Sequence, residues 1–330
     1  MSPGATTFTR MTAQQQRQWD QDGYLIVRDA IPAAQVQRLL DEFDRLDGIS
    51  QSLGRAADAP LDAMSVIDGA VENLFAQNDG AAIHTLDSKP SDVFLDLIDH
   101  PAHLGMVCQT LGAAIHMSWS HLMLRPASKT PANRWHQDGP KPYLFPRVAG
   151  QMALQWVRVG WFLTDLQDHD MGNLCLIPGS HRSGFPRVPA GLDRALKITS
   201  FSNFKQVEQL DGDVPGAVQI TARAGDIILL HNALYHCVVR NTSNVPRKNL
   251  YFVYTPVWQR LGDRDASSPD LVARCDPVRQ QLLGALSGPN TNGGRHCFDQ
   301  GLPLVKMFHG TGFQQTWESL DEDYIRRTQA

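Results

Sequence analysis

The spacing of apolar positions changes near residue 113. Upstream, they recur three or four residues apart, as on one face of a helix. Val36, Leu39, Leu40, Phe43 and Leu46 trace such a stripe, and Pro32 suits its first turn. Thr12 can cap an earlier helix that Gly23 ends, and the apolar run 24–27 that follows reads as a short strand. Another helix is predicted over 93–111, closed by Gly112. Downstream, short apolar runs alternate with turn residues. They predict strands over 115–124, 155–163, 174–177, 227–231, 237–240 and 249–257. Many short strands separated by turns predict a β-sandwich or barrel. After Trp258 the chain is polar, with a helix expected over 278–286. No internal repeat or Gly/Ser linker divides the chain, so one domain is expected. It would comprise a helical part over about 10–112, a β core over about 113–258 and a C-terminal extension over 259–330.

Composition narrows the classes. The 330 residues are 42% hydrophobic and 19% charged, near the globular average, which excludes disordered and collagen-like chains. A net charge of −4 offers no polybasic surface for nucleic acid or anionic lipid. No apolar run approaches the roughly 20 residues that span a bilayer, and the opening MSPGATTFTRMTAQQQ lacks the apolar core of a secretory leader. The five cysteines are scattered without a C-x-x-C pair. That opposes a disulfide framework or a cysteine-rich zinc site and fits a reducing, cytoplasmic setting.

The sharpest local feature is His136-Gln137-Asp138. On a strand, residues two apart share a face, so an imidazole and a carboxylate can stand side by side. One further histidine completes the two-His, one-carboxylate set that binds Fe(II) on one face and leaves positions for substrate and O2. The same pair also fits ordinary hydrogen bonding at a strand end. Two candidates for the third ligand, His231 and His236, follow the apolar run 227–230. Arg247 comes eleven residues after His236 and opens another apolar strand. An arginine inside a barrel is costly unless it meets a carboxylate. A dicarboxylate cosubstrate would supply one, held bidentately by the planar guanidinium.

Four segments in order, the opening TAQQQRQWDQDGYLIVRDAIPAAQVQRLLDEF, WHQDGP at 135–140, GNLCLIPGSHRSG at 172–184 and the stretch 225–247, resemble the phytanoyl-CoA dioxygenase family of Fe(II)/2-oxoglutarate oxygenases. The likeness runs from about residue 12 to 258. It implies a mainly β fold with a helical wrapper around a double-stranded β-helix, the cupin-like jelly roll. It implies Fe(II) held by His136, Asp138 and His236 rather than His231, with O2 and 2-oxoglutarate as cosubstrates. Arg247 then takes the far carboxylate of 2-oxoglutarate. Trp161, His121 and His84 fall where the family places cosubstrate neighbours, and Gln137 and Trp135 are expected near the substrate. The family's serine two residues after the distal histidine is Val238 here, with Thr242 and Tyr251 as candidates to replace its contact. Pro178–Arg182 reads as a turn shaping the barrel mouth. The implied reaction hydroxylates an unactivated C–H bond of a small molecule and releases succinate and CO2. Asp138 favours hydroxylation, or a desaturation or ring-forming variant, over halogenation, since related halogenases have Gly or Ala there. Two other readings remain at this point. One is a zinc hydrolase, which leaves Arg247 unexplained. The other is a non-catalytic jelly-roll binding module, which leaves the intact set of four residues unexplained. Substrate choice is expected to lie in the loops 140–150 and 261–294.

Overall fold

The computed structural model describes residues 8–68, 70–73, 85–87, 90–129, 133–138, 147–148, 151–183, 214, 216–260, 266–285 and 302–308. The first part contains α1 (Ala13–Asp22), β1 (Tyr24–Val27), α2 (Ala33–Ser52), β2 (Leu61–Met64), β3 (Ala70–Asn73), β4 (Thr85–Asp87), α3 (Asp92–Leu95) and α4 (Leu104–Leu111). The middle contains β5 (Ile115–Arg125), β6 (Asn133–His136), β7 (Arg147–Val148), β8 (Gln151–Met152), β9 (Val157–Phe162), β10 (Leu174–Leu176), α5 (Ser180–Ser183), β11 (Val218–Gln219), β12 (Ile227–His231), β13 (His236–Val238) and β14 (Arg247–Pro256). Three short helices follow: α6 (Pro269–Ala273), α7 (Pro277–Leu282) and α8 (Pro303–Phe308).

Local chemistry accounts for the helix ends. Thr12 and Gln15 form a reciprocal capping box at the start of α1, each side chain accepting from the other's backbone N–H. Gly23 ends α1 at φ 78°, a left-handed conformation that costs glycine little. The helix expected over 93–111 is instead two, α3 and α4, with turns between them. Pro101 lies in the gap; it donates no N–H and disfavours helical geometry at His100 before it. The predicted stripe on α2 is buried at Val36, Leu39, Phe43 and Leu46, with Leu40 at its margin.

The strands form two main antiparallel sheets. The larger runs β1-β12-β9-β14-β5-β2-β3-β4 and the smaller β11-β10-β13-β6; β7 and β8 make a separate hairpin. This is the jelly-roll core, with helices against the outer face of the large sheet. Alternation along β9 separates the two faces. Val157, Val159 and Trp161 join Leu250, Phe252, Leu39, Phe43 and Val107 in the outer core. Phe162 joins Ile228, Leu230, Leu174, Leu176 and Ile220 between the sheets. Buried Gln281 fastens the C-terminal helices to the barrel. Its amide donates to the carbonyls of Ala113 and Ile115 and accepts from Leu304 N–H. No described helix is long and apolar enough to cross a membrane.

Candidate metal centre and cosubstrate pocket

Strand pairing in the small sheet brings the two histidines together. His136 ends β6 and His236 begins β13, and they are directly opposite partners. Their ring centroids lie 4.3 Å apart. The chain bends after His136, so Asp138 stands just past the strand end rather than on it. Its Oδ1 lies 3.6 Å from Nε2 of His136 and 3.7 Å from Nε2 of His236. The ligand atoms of all three fall within 4.8 Å of one another, and no other His/Cys/Asp/Glu group among the described residues is arranged to hold a metal ion.

His236 and Asp138 are in the states a cation needs. Burial holds the His236 pKa down to about 4, helped by nearby His136, so the ring is neutral. Its Nδ1 lies 2.9 Å from the Leu234 carbonyl. As a neutral ring it donates there, which leaves the Nε2 lone pair for a ligand. Burial opposes ionisation of Asp138, but Arg158 foremost, then His236, His136 and His121, hold its carboxyl below the usual value.

A second set of interior residues comes from β14, where Arg247, Asn249 and Tyr251 share the inward face. Arg247 is fully buried. Its Nε donates to Asn249 Oδ1 at 2.8 Å, Nη1 to the Gly172 carbonyl at 2.7 Å and Nη2 to Tyr251 Oη at 2.5 Å. All three acceptors are neutral, and no carboxylate pairs with it among the described residues. Burial pulls its pKa down from the ordinary value, opposed by Tyr251, but a guanidinium stays charged in proteins. Its cross-strand partner Arg125 already has a counter-ion: Nη2 meets both oxygens of buried Asp62 at 2.8 and 3.0 Å.

A family model of the phytanoyl-CoA dioxygenases matches residues 19–249, more than half of the chain. The chain belongs to the phytanoyl-CoA dioxygenase family. It is an enzyme, an oxygenase whose cofactors are iron and 2-oxoglutarate, which sets aside the hydrolase and the binding module. Ectoine dioxygenase from Nocardia farcinica is 24% identical over 270 residues, 78% of this chain and 82% of that protein. L-proline trans-4-hydroxylase from Streptomyces griseoviridis is 26% identical over 175 residues, 50% of this chain and 64% of that one. Among solved structures, HygX from Streptomyces hygroscopicus with nickel and 2-oxoglutarate bound has a TM-score of 0.55 at 20% identity, covering 80% of this chain and 94% of that one. It supports the fold.

Other residues expected at this phytanoyl-CoA dioxygenase site are placed unequally. His121 faces the interior opposite Tyr251, with Nε2 3.5 Å from Asp62 Oδ1. Trp161 is a correction. It lies on the outer face of β9, edge-on to His100 and His103 at 5.4 and 5.3 Å, because it is out of phase with Arg158, Gly160 and Phe162. Trp135 is a second correction. It alternates with His136 and packs with Cys175, Cys237 and Val239, a cluster separate from the interior core. Gln137 has a supporting position. Its Nε2 donates to the Ala233 carbonyl at 2.5 Å, tying the H-x-D segment to the turn before His236. His84 lies outside the described residues. Tyr251, rather than Thr242, meets Arg247; exposed Thr242 bonds to the Asp170 backbone. Ser180 of the P-G-S-H turn accepts from Tyr235 N–H at 2.9 Å and so steadies the residue before His236.

His231 is turned away from the triad. Its ring lies 4.9 Å from that of His181 and 6.1 Å from that of Trp19, and its Nδ1 accepts from Ala233 N–H. Burial, and His181 beside it, push its pKa down to about 3. Above the ordinary imidazole pKa of about 6.5 both folded and unfolded chains leave it neutral; below, the unfolded chain takes up a proton that the fold withholds. Stability is therefore expected to fall as pH drops from about 6.5 toward 3. Thermal midpoints measured across that range in His231→Gln should show a shallower decline than in the parent; an unchanged slope counts against this source.

The residue that sequence reasoning missed is Arg158. Its Nη2 lies 2.7 Å from Asp138 Oδ2, and its guanidinium carbon lies 5.7 Å from the centroid of the Tyr251 ring. The signal was a lone arginine in the apolar run VRVGWF, which calls for an interior carboxylate as Arg247 does.

Proposed function

We propose that the protein hydroxylates an unactivated C–H bond of a small molecule, consuming 2-oxoglutarate and O2 and releasing succinate and CO2. The observation that carries this reading is the His136, Asp138 and His236 cluster in a barrel that also buries Arg247 without a carboxylate partner among the described residues. The donor set suits iron, with two imidazole nitrogens and one carboxylate oxygen converging from one side. When bound with its cosubstrate, iron supplies O2 activation and the oxidation of the C–H bond.

The chain's residues supply binding, orientation and exclusion of water. His136, Asp138 and His236 hold the metal, and the Leu234 carbonyl fixes the ring of His236. Arg247 has five N–H donors, of which three are engaged; the others are left for the far carboxylate of 2-oxoglutarate. Tyr251 steadies the guanidinium and takes over the polar role vacant at Val238, and His121 lines the same interior. Phe162, Leu174, Leu176 and Leu230 make the inner core dry, which strengthens the arginine–carboxylate attraction.

The names of the relatives, ectoine dioxygenase and L-proline trans-4-hydroxylase, support a small-molecule substrate, and the net charge of −4 supports neither nucleic acid nor anionic lipid. The scattered cysteines, with no C-x-x-C pair, support a reducing cytoplasm. Attachment of α7 to β5, and of α8 to α7, both through Gln281, supports one domain. The test is a panel of small molecules incubated with the iron-loaded enzyme, 2-oxoglutarate and isotopically labelled O2. One labelled oxygen is expected in the product and one in succinate, in equal amounts. A product whose new oxygen comes from water contradicts the reaction.

A further inference from the structure

The carboxylate of Asp138 is divided between two tasks. Oδ1 faces both imidazoles at 3.6 and 3.7 Å, while Oδ2 meets Arg158 at 2.7 Å. The nearby Asp62–Arg125 pair is different: one guanidinium nitrogen there meets both oxygens at 2.8 and 3.0 Å, and His121 Nε2 stands 3.5 Å from Oδ1, so both oxygens already face protein groups. At Asp138 only the oxygen remote from the imidazoles is taken. A carboxylate with both oxygens free can bind a metal through both. In a three-residue site that would consume a position needed by the chelating cosubstrate or by O2.

Arg158 is held in place for this. It projects from the inner face of β9 with little solvent contact, its side chain 12% exposed. The Tyr251 ring beneath it occupies the space over Gly160, where an added Cβ would come 2.4 Å from Tyr251 Cε1. Tyr251 Oη in turn accepts from Arg247. Arg158 and Tyr251 thus connect the metal carboxylate to the arginine assigned to the cosubstrate.

We infer that Arg158 is a positioning residue that restricts Asp138 to one-oxygen ligation, so that the metal keeps the open positions 2-oxoglutarate and O2 require. The inference rests on the proposed assignment of the metal ligands. Outer partners of this kind change metal affinity or activity by about 10- to 100-fold when removed. Here the effect is expected in cosubstrate chelation rather than in metal capture.

The test uses the full chain as wild type, Arg158→Met and Arg158→Lys. Mn(II) affinity is measured by calorimetry, and 2-oxoglutarate affinity by the visible charge-transfer band formed with Fe(II) without oxygen. Arg158→Met is expected to bind Mn(II) as tightly as wild type or more tightly, since a second oxygen is freed and a cation removed. Its 2-oxoglutarate affinity is expected to fall about 10-fold or more at metal saturation, with partial recovery in Arg158→Lys. Unchanged cosubstrate affinity in Arg158→Met overturns the inference. Loss of Mn(II) binding in a folded variant also overturns it, because Arg158 would then be required for ligation itself. Should Arg158→Met not fold, a metal-loaded wild-type crystal decides: Oδ1 on the metal and Oδ2 on Arg158 is expected, and both oxygens on the metal overturns it. If wild type binds neither Mn(II) nor 2-oxoglutarate, the ligand assignment fails instead.

Discussion

Asp138→Ala is expected to reduce iron-dependent succinate release to background. Asp138 is the carboxylate of the candidate triad and the group whose Oδ1 lies between both imidazoles. Against the opposing effect of burial, Arg158 and the neighbouring histidines keep it ionised at neutral pH, so the substitution removes a full negative charge as well as a ligand. Losing a mere supporting partner of a metal ligand costs up to about 100-fold; losing the ligand is expected to exceed that. Asp138→Asn keeps the shape and removes the charge, and it should fail nearly as badly. Succinate release at saturating Fe(II), alongside a thermal melt as a control for folding, measures the effect. Wild-type turnover in folded Asp138→Ala would remove Asp138 from the ligand set.

Arg247→Ala is expected to raise the KM for 2-oxoglutarate far more than that for substrate. A buried cation whose described partners are all neutral has its strongest interaction still to make. Truncating one member of a buried charged pair costs about 2–4 kcal/mol, or about 30- to 1000-fold in affinity. Arg247→Lys should recover part of that loss, since it retains charge but not the planar fork. The split between the two KM values is the informative quantity. A purely structural role would lower the amount of active enzyme and leave both unchanged.

Strands β1, β5, β9, β10, β12, β13 and β14 were legible to within a few residues because each is a short apolar run bounded by turn formers; β6, β7, β8 and β11 were not, nor were β2–β4, which extend the large sheet from within the stretch expected to be helical. β9 was expected over 155–163 and spans 157–162; β14 was expected from 249 and begins two residues earlier, at Arg247. Helix continuity through 93–111 was not legible from apolar spacing, since that pattern persists across Pro101 while the backbone cannot. Alternation shows which side chains share a face, but not which face closes into a barrel. Trp161 and Trp135 were misplaced for that reason: each lies one residue out of phase with the interior set. The choice between His231 and His236 turned on pairing. β6 aligns His136 with His236, whereas β12 delivers His231 toward His181 and Trp19. Arg158 was readable by the logic applied to Arg247, but its carboxylate, Asp138, lies twenty residues earlier, just past the end of β6 in the other sheet, and only the closed barrel brings them together.

An anaerobic titration of the wild-type enzyme with Fe(II) and then 2-oxoglutarate tests the central assignment most directly. The keto acid chelating iron should produce a visible charge-transfer band that saturates at one 2-oxoglutarate per chain, is absent in Asp138→Ala and requires much more 2-oxoglutarate in Arg247→Ala. No band at metal saturation, or a band equally strong in Asp138→Ala, would contradict it.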